Sequence, residues 1–225
     1  RRRKILVIEH NAQIGRKIII SGGGRCNFTN TNVLSENFIS NNPHFCKSAL
    51  ARFTSQDFIE LVKKHRIKFY EKKLGQLFCR GRSFEIVEML LKECEKANVK
   101  ILTDCSVKNV RKKDFFEIET TKGNFKSENL VIASGGLSFS KIGATAFGYE
   151  IAKQFGIKLT DIRPSLVPLI FANGKNYKQL AGISIDAFAE SQKQIFRENI
   201  LFTHRGLSGP AILQISNYWQ KDKPI

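Results

Sequence analysis

The segment Gly15-Arg16-Lys17-Ile-Ile-Ile20-Ser21-Gly22-Gly23-Gly24-Arg25-Cys26-Asn27-Phe28-Thr29-Asn30 gathers the residue types that hold a nucleotide. Three successive glycines, Gly22, Gly23 and Gly24, present backbone N–H groups with no side chain in the way. Such a stretch can wrap a phosphate or lie flat against a planar ring. Arg16, Lys17 and Arg25 place positive charge beside it, and Ser21, Asn27, Thr29 and Asn30 supply short hydrogen-bonding groups. A plain surface turn would not require flanking arginines, a cysteine and several amides and hydroxyls together, so a ligand site is the better reading. The segment is not a phosphate loop of the Gly-Lys-Ser/Thr kind, which would need that triplet downstream. Nor is it G-x-G-x-x-G, because Asn27 stands where the last glycine should be.

Two other places could serve the same ligand. Glu9 closes the apolar run Lys4–Ile8. An acidic residue at the carboxyl end of a parallel strand is where dinucleotide folds hold a ribose hydroxyl, although a solvated strand end has the same appearance. Val131-Ile-Ala-Ser-Gly-Gly136 runs from an apolar strand into a small-residue turn, and Ala133, Ser134, Gly135 and Gly136 would let the chain pass close to a cofactor; an ordinary turn fits equally. Gly143, Thr145 and Gly148 follow, ahead of a helix whose N-terminus favours an anion. Cys26 is either an acid or nucleophile beside the ligand or a small packing residue. His65, at the end of an apolar helical stripe, is better read as a packed or capping histidine than as a catalyst.

The elements that must position these residues follow from local patterns. Lys4–Ile8 is a strand, and residues 10–32 are expected as ordered loop, since Ser21-Gly-Gly-Gly24 continues neither helix nor strand cheaply. Asn42-Pro43 is expected to open a helix with Phe45, Ala49, Leu50 and Phe53 on one face. A second helix starts at Thr54 or Ser55 with Asp57 completing a capping box. Two short strands flank Lys73-Leu74-Gly75. Ser83 is expected to cap a third helix that turns Ile86, Leu90, Cys94 and Ala97 inward. Val99–Thr103, Val107–Val110, Phe115–Thr121 and Asn124–Lys126 are strands, the last three an antiparallel meander turned at Lys112-Lys113-Asp114 and Lys122-Gly123. Leu130–Ala133 is expected as a buried parallel strand, and Thr145 as the start of a fourth helix ending at Gly156. Past Arg163-Pro164 the helical period disappears. Leu166–Ala172, Gly182–Glu190 and Ile200–Thr203 are expected strands, with a last helix from about Ala211. The fold class is α/β with a parallel sheet, divided at residues 1–160 and 161–225, the second part too short in strands to close a barrel.

Composition narrows the function. Of 225 residues, 42% are hydrophobic and 25% charged, which is globular. No apolar run approaches the roughly 18 residues of a membrane span. The five cysteines form no C-x-x-C, which argues against a zinc site or a disulfide framework and for reduced thiols in the cytoplasm. Lys plus Arg number 37 against 20 Asp plus Glu, a net +17. Such a field suits a polyanion, and a lysine-rich composition without any ligand is the equal alternative. The sequence does not begin with Met, opens almost at once into a strand, and is expected to be a fragment.

The glycine segment, Val131-Ile-Ala-Ser-Gly-Gly-Leu-Ser138 downstream and Leu201-Phe-Thr-His-Arg-Gly-Leu-Ser-Gly-Pro210 later together resemble a bacterial flavoprotein family, the NAD(P)/FAD-dependent oxidoreductases known as aminoacetone-oxidase-like or BaiN-like FAD-binding proteins. Phe45–Phe53, Lys72–Phe78 and Arg163–Leu169 also match its pattern, so the resemblance runs along the whole chain. It implies a glutathione-reductase-like FAD domain interrupted by a β-barrel insert, with the G-x-G-x-x-G strand of the family lying upstream of Arg1 and the return to the FAD domain downstream. It places Glu9 on the FAD ribose, and Arg16, Lys17, Ser21, Gly22, Gly23, Gly24, Arg25, Cys26 and Asn27 along the pyrophosphate, ribityl chain and flavin ring. Val107 would meet the adenine side through its backbone, and Ala133, Ser134, Gly135 and Gly136 would form the second FAD-contacting strand end. His204, Ser208 and Gly209 belong to a motif of the insert.

The resemblance further implies hydride transfer from NAD(P)H through FAD to an unsaturated substrate. Two substrates are in view: a uridine of ribosomal RNA, reduced to dihydrouridine, or a small enone. The net charge favours RNA, with Arg1–Arg3, Lys63, Lys64, Arg66, Lys68, Lys72, Lys73, Arg80, Arg82 and Arg111–Lys113 as candidate phosphate contacts. An inactive truncated product or a nucleic-acid-binding scaffold without flavin is the alternative from another class.

Overall fold

The computed structural model describes residues 3–171, 177–220 and 223–225. It divides into two compact units, Arg1–Ile157 and Lys158–Ile225. In the first unit, β1 (Leu6–Ile8) leads to α1 (Arg16–Ile20), a tight turn at Ser21–Gly24 and β2 (Asn27–Asn30). Then come α2 (Lys47–Arg52), α3 (Ser55–Lys64), β3 (Phe69–Glu71), β4 (Gln76–Cys79), α4 (Phe84–Lys96) and β5 (Lys100–Leu102). The meander β6 (Val107–Lys112), β7 (Phe116–Thr120) and β8 (Gly123–Ser127) follows, and α5 (Phe147–Gln154) closes the unit.

β1 and β5 pair in parallel, with Val7 opposite Ile101, and this is the parallel pairing among the described residues. β2, β4 and β3 form an antiparallel sheet with β4 in the centre. Its inner face packs on α3 and α4 through Cys26, Val62, Ile67, Cys79, Ile86 and Met89, with Phe28, Phe58 and Phe69 at the margin. Phe28 meets Phe58 and Phe69 edge to face, at centroid distances of 6.0 and 5.5 Å, a favoured arrangement for aromatic quadrupoles. The meander packs Val110 and Ile118 on Ile151 of α5, beside Ile8 and Leu130.

Local chemistry explains α3 and the meander. The Thr54 hydroxyl accepts from the Asp57 N–H at 3.1 Å, and the Asp57 carboxylate accepts from the Thr54 N–H at 2.7 Å, the expected capping box. These bonds hold the Asp57 carboxyl below its usual range. The three meander strands pair antiparallel as expected, with Ile118 opposite both Val110 and Phe125.

Several elements differ from expectation. Residues 10–32 are not all loop: α1 and β2 lie within them. The helix expected from Asn42 starts at Lys47; the Asn42 side chain instead accepts from the His44 N–H in a turn, and Phe45 and Phe53 stay exposed. Ser83 precedes α4 without capping it, because its hydroxyl donates to the Ile19 carbonyl at 2.6 Å. α4 buries Ile86, Val87 and Met89, while Leu90 and Ala97 face solvent. Leu130–Ala133 is not a strand, and Val131 is 83% exposed. An apolar run becomes a strand only where a neighbouring ladder accepts its backbone, and no strand pairs with it among the described residues.

The second unit is antiparallel. β9 (Leu169–Ile170), β10 (Ser184–Ser191), β11 (Gln194–Phe202) and β12 (Gly206–Ser208) form one sheet in the order β10-β11-β12-β9, and α6 (Pro210–Ile215) buries Ala211, Ile212 and Ile215 against Ala189 and Ile200. β9 is shorter than the expected Leu166–Ala172, of which Ala172 lies outside the described residues, and β11 begins six residues before Ile200. The motif around His204 is a turn. The Thr203 hydroxyl bonds the Gly206 N–H and carbonyl, both at 3.0 Å, and a Cβ on Gly206 would fall 1.9 Å from the Leu169 carbonyl oxygen. That glycine lets β12 close on β9.

Candidate functional site

Ser21–Gly24 is a turn of left-handed glycines, with φ of +58° at Gly22, +65° at Gly23 and +82° at Gly24. L side chains avoid that region, so the triplet is what allows the chain to reverse here. The three glycines differ in surroundings. A Cβ on Gly22 would fall 2.7 Å from the Asn27 nitrogen and 2.8 Å from the Phe78 ring, whereas nothing lies within 4 Å of one on Gly23 or Gly24. The turn is thus seated on Phe78 on one side and open on the other. Its backbone is anchored to α4 and β4: the Ser83 N–H donates to the Gly24 carbonyl at 2.8 Å and the Cys79 N–H to the Arg25 carbonyl at 2.9 Å.

Cys26 follows with φ of +48°, a strained value for a residue with a side chain. Its thiol points into the core, 4% exposed, in one cluster with Cys79. Burial raises the Cys26 thiol above its usual value, against a hydrogen bond from Ser21 that lowers it. Cys79 is pushed up to about 12, first by burial and then by Cys26 and Glu85. Both thiols are therefore neutral at physiological pH. All five cysteines are free.

Glu9 leaves β1 where the Glu9 N–H donates to Leu102 and the Cys105 N–H to Glu9. Its Oε1 accepts from both the backbone N–H and the side-chain amide of Asn11, each at 2.8 Å, with His10 Nδ1 at 3.3 Å. The Asn11 Oδ1 in turn accepts from Arg16 Nη1 at 2.9 Å. Glu9, Asn11 and Arg16 thus form one chain from the strand end to the first turn of α1. A carboxylate has about four acceptor positions, so Glu9 keeps capacity for a ligand hydroxyl. Asn11 and His10 were not singled out in the sequence; they occupy no motif, and only the fold brings Asn11 between the acid and the arginine.

Lys17 reaches the second glycine segment, donating from Nζ to the Ser138 hydroxyl. The structure therefore joins Glu9 and Arg16 through Asn11 and brings Lys17 to Ser138, at the end of the second glycine segment. Ala133, Ser134 and Gly135 are exposed. Gly136 lies against Tyr149, whose hydroxyl would be 2.7 Å from an added Cβ, and Gly148 lies as closely on Ser134, at 2.9 Å. Arg25 is exposed and forms no ion pair among the described residues. Asn27 stands in β2 opposite Phe78, and Asn30 is spent on the Leu74 carbonyl at 2.8 Å. Val107 opens β6 opposite Thr120, with a bulge before Asn109. The cavity of about 440 Å³ between α4 and β5, lined by Leu91, Cys94, Val99 and Ile101, shares no residue with this arrangement. The site is an open cradle rather than a closed pocket.

Of the cations proposed for phosphate, Arg1 and Arg2 lie outside the described residues. Lys63 pairs with Glu60 at 2.9 Å, and Lys113 with Glu117 at 4.0 Å. No helix among the described residues is long and apolar enough to cross a membrane.

The model for the HI0933-like protein Rossmann domain matches residues 1–209 of the chain. The ribosomal RNA dihydrouridine synthase of Escherichia coli strain K12 is 50% identical over 222 residues, covering 97% of this chain and 56% of that protein. Its namesake in Haemophilus influenzae is 45% identical over 230 residues, 99% and 57% of the two. The 3-dehydro-bile acid delta(4,6)-reductase of Clostridium scindens is 26% identical over 225 residues, 97% and 54%. The chain spans about half the length of the curated relatives it matches.

Proposed function

The chain belongs to the HI0933-like Rossmann-domain family, and from that premise we propose that it is the nucleotide-holding part of an FAD-dependent oxidoreductase that reduces a uridine of ribosomal RNA to dihydrouridine, with NAD(P)H as electron donor. The observation that carries this reading is the turn at Gly22–Gly24, closed on Phe78 and open at Gly23 and Gly24. A backbone free of side chains, next to two cations and a carboxylate, suits a flat, doubly phosphorylated nucleotide. Glu9 holds the ribose hydroxyls, with Asn11 fixing its carboxylate. Arg16 and Lys17 neutralise the pyrophosphate, while Gly23 to Asn27 and Ala133 to Gly136 take the ribityl chain and ring. Val107 offers its backbone to the adenine side. FAD, when bound, supplies two-electron transfer, and the residues around it bind, orient and exclude water. Cys26 is assigned to packing: a buried neutral thiol under the turn supports its strained path and presents no thiolate.

RNA is favoured over a small enone because the relatives at 45–50% identity carry the ribosomal RNA name and because a net +17 favours a polyanion. The bile acid reductase supports the enone reading at lower identity. Titration of the purified protein with FAD, followed by visible absorption, tests the cofactor: a stoichiometric yellow complex is expected, and a colourless protein after saturation with FAD sinks the proposal. Mass spectrometry of ribosomal RNA from cells lacking the gene tests the substrate, with loss of one dihydrouridine expected.

A further inference from the structure

We infer that the outer face of the β2–β4–β3 sheet is a contact surface for a single RNA strand, which lays the substrate nucleotide beside the glycine turn; this rests on the reading of that turn as the FAD cradle. Strand alternation puts Lys68, Tyr70 and Lys72 on one side of β3 and its flanks, and Phe69 on the other, against Phe28. On β4, Phe78 shares the first side with Gln76 and Arg80 but is itself buried, with Gly22 against its ring, while Leu77 and Cys79 are buried on the second. Tyr70 stands directly opposite Phe78, and the rings stack at 5.9 Å between centroids with 26° between planes. The Arg80 guanidinium lies 6.0 Å from the Tyr70 ring centre and the Lys72 ammonium 5.5 Å from that of Phe78. The Arg80 N–H donates to the Lys68 carbonyl at 2.8 Å, which sets a third cation beside the first. The face is therefore a ladder, Arg80–Tyr70–Phe78–Lys72, with the glycine turn resting on Phe78 at its inner edge.

Lys68, Lys72 and Arg80 are exposed, and none has a carboxylate within ion-pair distance among the described residues. Cations with no carboxylate partner, set around the partly exposed Tyr70 ring, match a chain whose phosphates alternate with flat bases. A duplex presents no base faces to such a ladder, and an acidic peptide would use the cations but not the ring. The occupant that fits both is an unpaired stretch of RNA, the form in which a base is accessible to chemistry.

The test measures binding of an end-labelled, uridine-containing single-stranded RNA by fluorescence anisotropy over a range of KCl. In Lys68→Ala/Lys72→Ala/Arg80→Ala the slope of log affinity against log salt should become shallower by about 2, from three lost phosphate contacts at about 0.7 each. Tyr70→Leu should weaken binding about tenfold with the slope unchanged, and Tyr70→Phe should restore it. A control removing the same charge elsewhere, Lys92→Ala/Lys108→Ala/Lys153→Ala, should change affinity less than about twofold, the expectation for scattered solvated cations. Circular dichroism melts confirm folding of each variant. Equal binding by Tyr70→Leu and the parent, or equal weakening by the two triple variants, overturns the inference. FAD titration is read separately on the same samples, so a protein that fails to bind flavin sinks the cofactor proposal, whereas one that binds flavin and is indifferent to the ladder sinks this one.

Discussion

Beneath the glycine turn at residues 21–24 lie the central strand of a sheet, two helices and a closed set of backbone hydrogen bonds; residues 130–136 touch α5 at Ser134 and Gly136 but lack such a set of backbone hydrogen bonds. The first segment is anchored through Ser83, Cys79 and the Phe78 ring, over a core whose Val62 and Cys79 are fully buried. The second has no acceptor for the N–H groups of residues 130–135 among the described residues, and Val131 is largely in solvent. Both are rich in small residues. The contrast teaches that glycine content marks where a backbone can approach a ligand, whereas what lies underneath decides whether its shape exists beforehand.

Hydrogen exchange offers the largest test of that contrast. Amides of β4 at residues 77–79, paired on both sides, should exchange more slowly than those of 130–135 by three or more orders of magnitude, roughly the span between global and local opening. Comparable protection in the two segments would erase the distinction. Addition of FAD sharpens it: under the proposed function the second segment gains protection on binding, while the first changes little.

Substitution within the turn comes next in size. Gly22→Ala combines the left-handed penalty with a clash against Asn27 and Phe78, and should cost about 3 kcal/mol of stability in urea melts. Gly23→Ala meets open space and should cost only about 1 kcal/mol. FAD affinity should fall in both, because the open side at Gly23 is where the ligand is proposed to lie. A Gly23→Ala protein with unchanged FAD affinity would remove the cradle from that side.

The same contrast marks what could be read from sequence. The capping box at Thr54 and Asp57 and the turns at Lys112-Lys113-Asp114 and Lys122-Gly123 were legible because their physics is local: the atoms that satisfy each backbone group lie within a few residues. Leu130–Ala133 was not, since hydrophobicity reports a tendency to be buried and says nothing of the partner strand. Ser83 departs from a capping role for a similar reason, its hydroxyl being drawn to Ile19, 64 residues away in sequence, instead of to its own helix. In the site, the glycines and their flanking cations were visible as a motif. Asn11, which ties Glu9 to Arg16, was not, because that contact exists only after β1 and α1 have been placed.

Lys17 joins the two segments, and its loss should have a smaller effect. An exposed hydrogen bond to Ser138 contributes on the order of 0.5–1 kcal/mol, so Lys17→Met should leave global stability almost unchanged. Limited proteolysis within residues 131–142 should nevertheless rise a few-fold, as expected for a segment with one tether removed. If cleavage there stays at the parent's rate, the tether does not hold the second segment.

The smallest effect lies on the anchored side, where His65 at the end of α3 meets Glu93 of α4 at 2.6 Å and Lys96 meets the same oxygen at 2.7 Å. Lys96 first, then His65, holds the Glu93 carboxyl down to about 2 from an ordinary 4.5. A carboxylate whose folded value is depressed contributes its stability in full above the unfolded value and loses it as pH falls toward the folded one. The contribution is therefore complete near neutrality and disappears between 4.5 and about 2. Glu93→Gln should lower the urea midpoint slightly near neutral pH, and the two proteins should converge as the solution is acidified through that window. Because the Glu93 side chain is partly exposed, the neutral-pH difference should also shrink in high salt. A difference that persists unchanged at the acid end would mean that Glu93 supports the α3–α4 contact by packing rather than by charge.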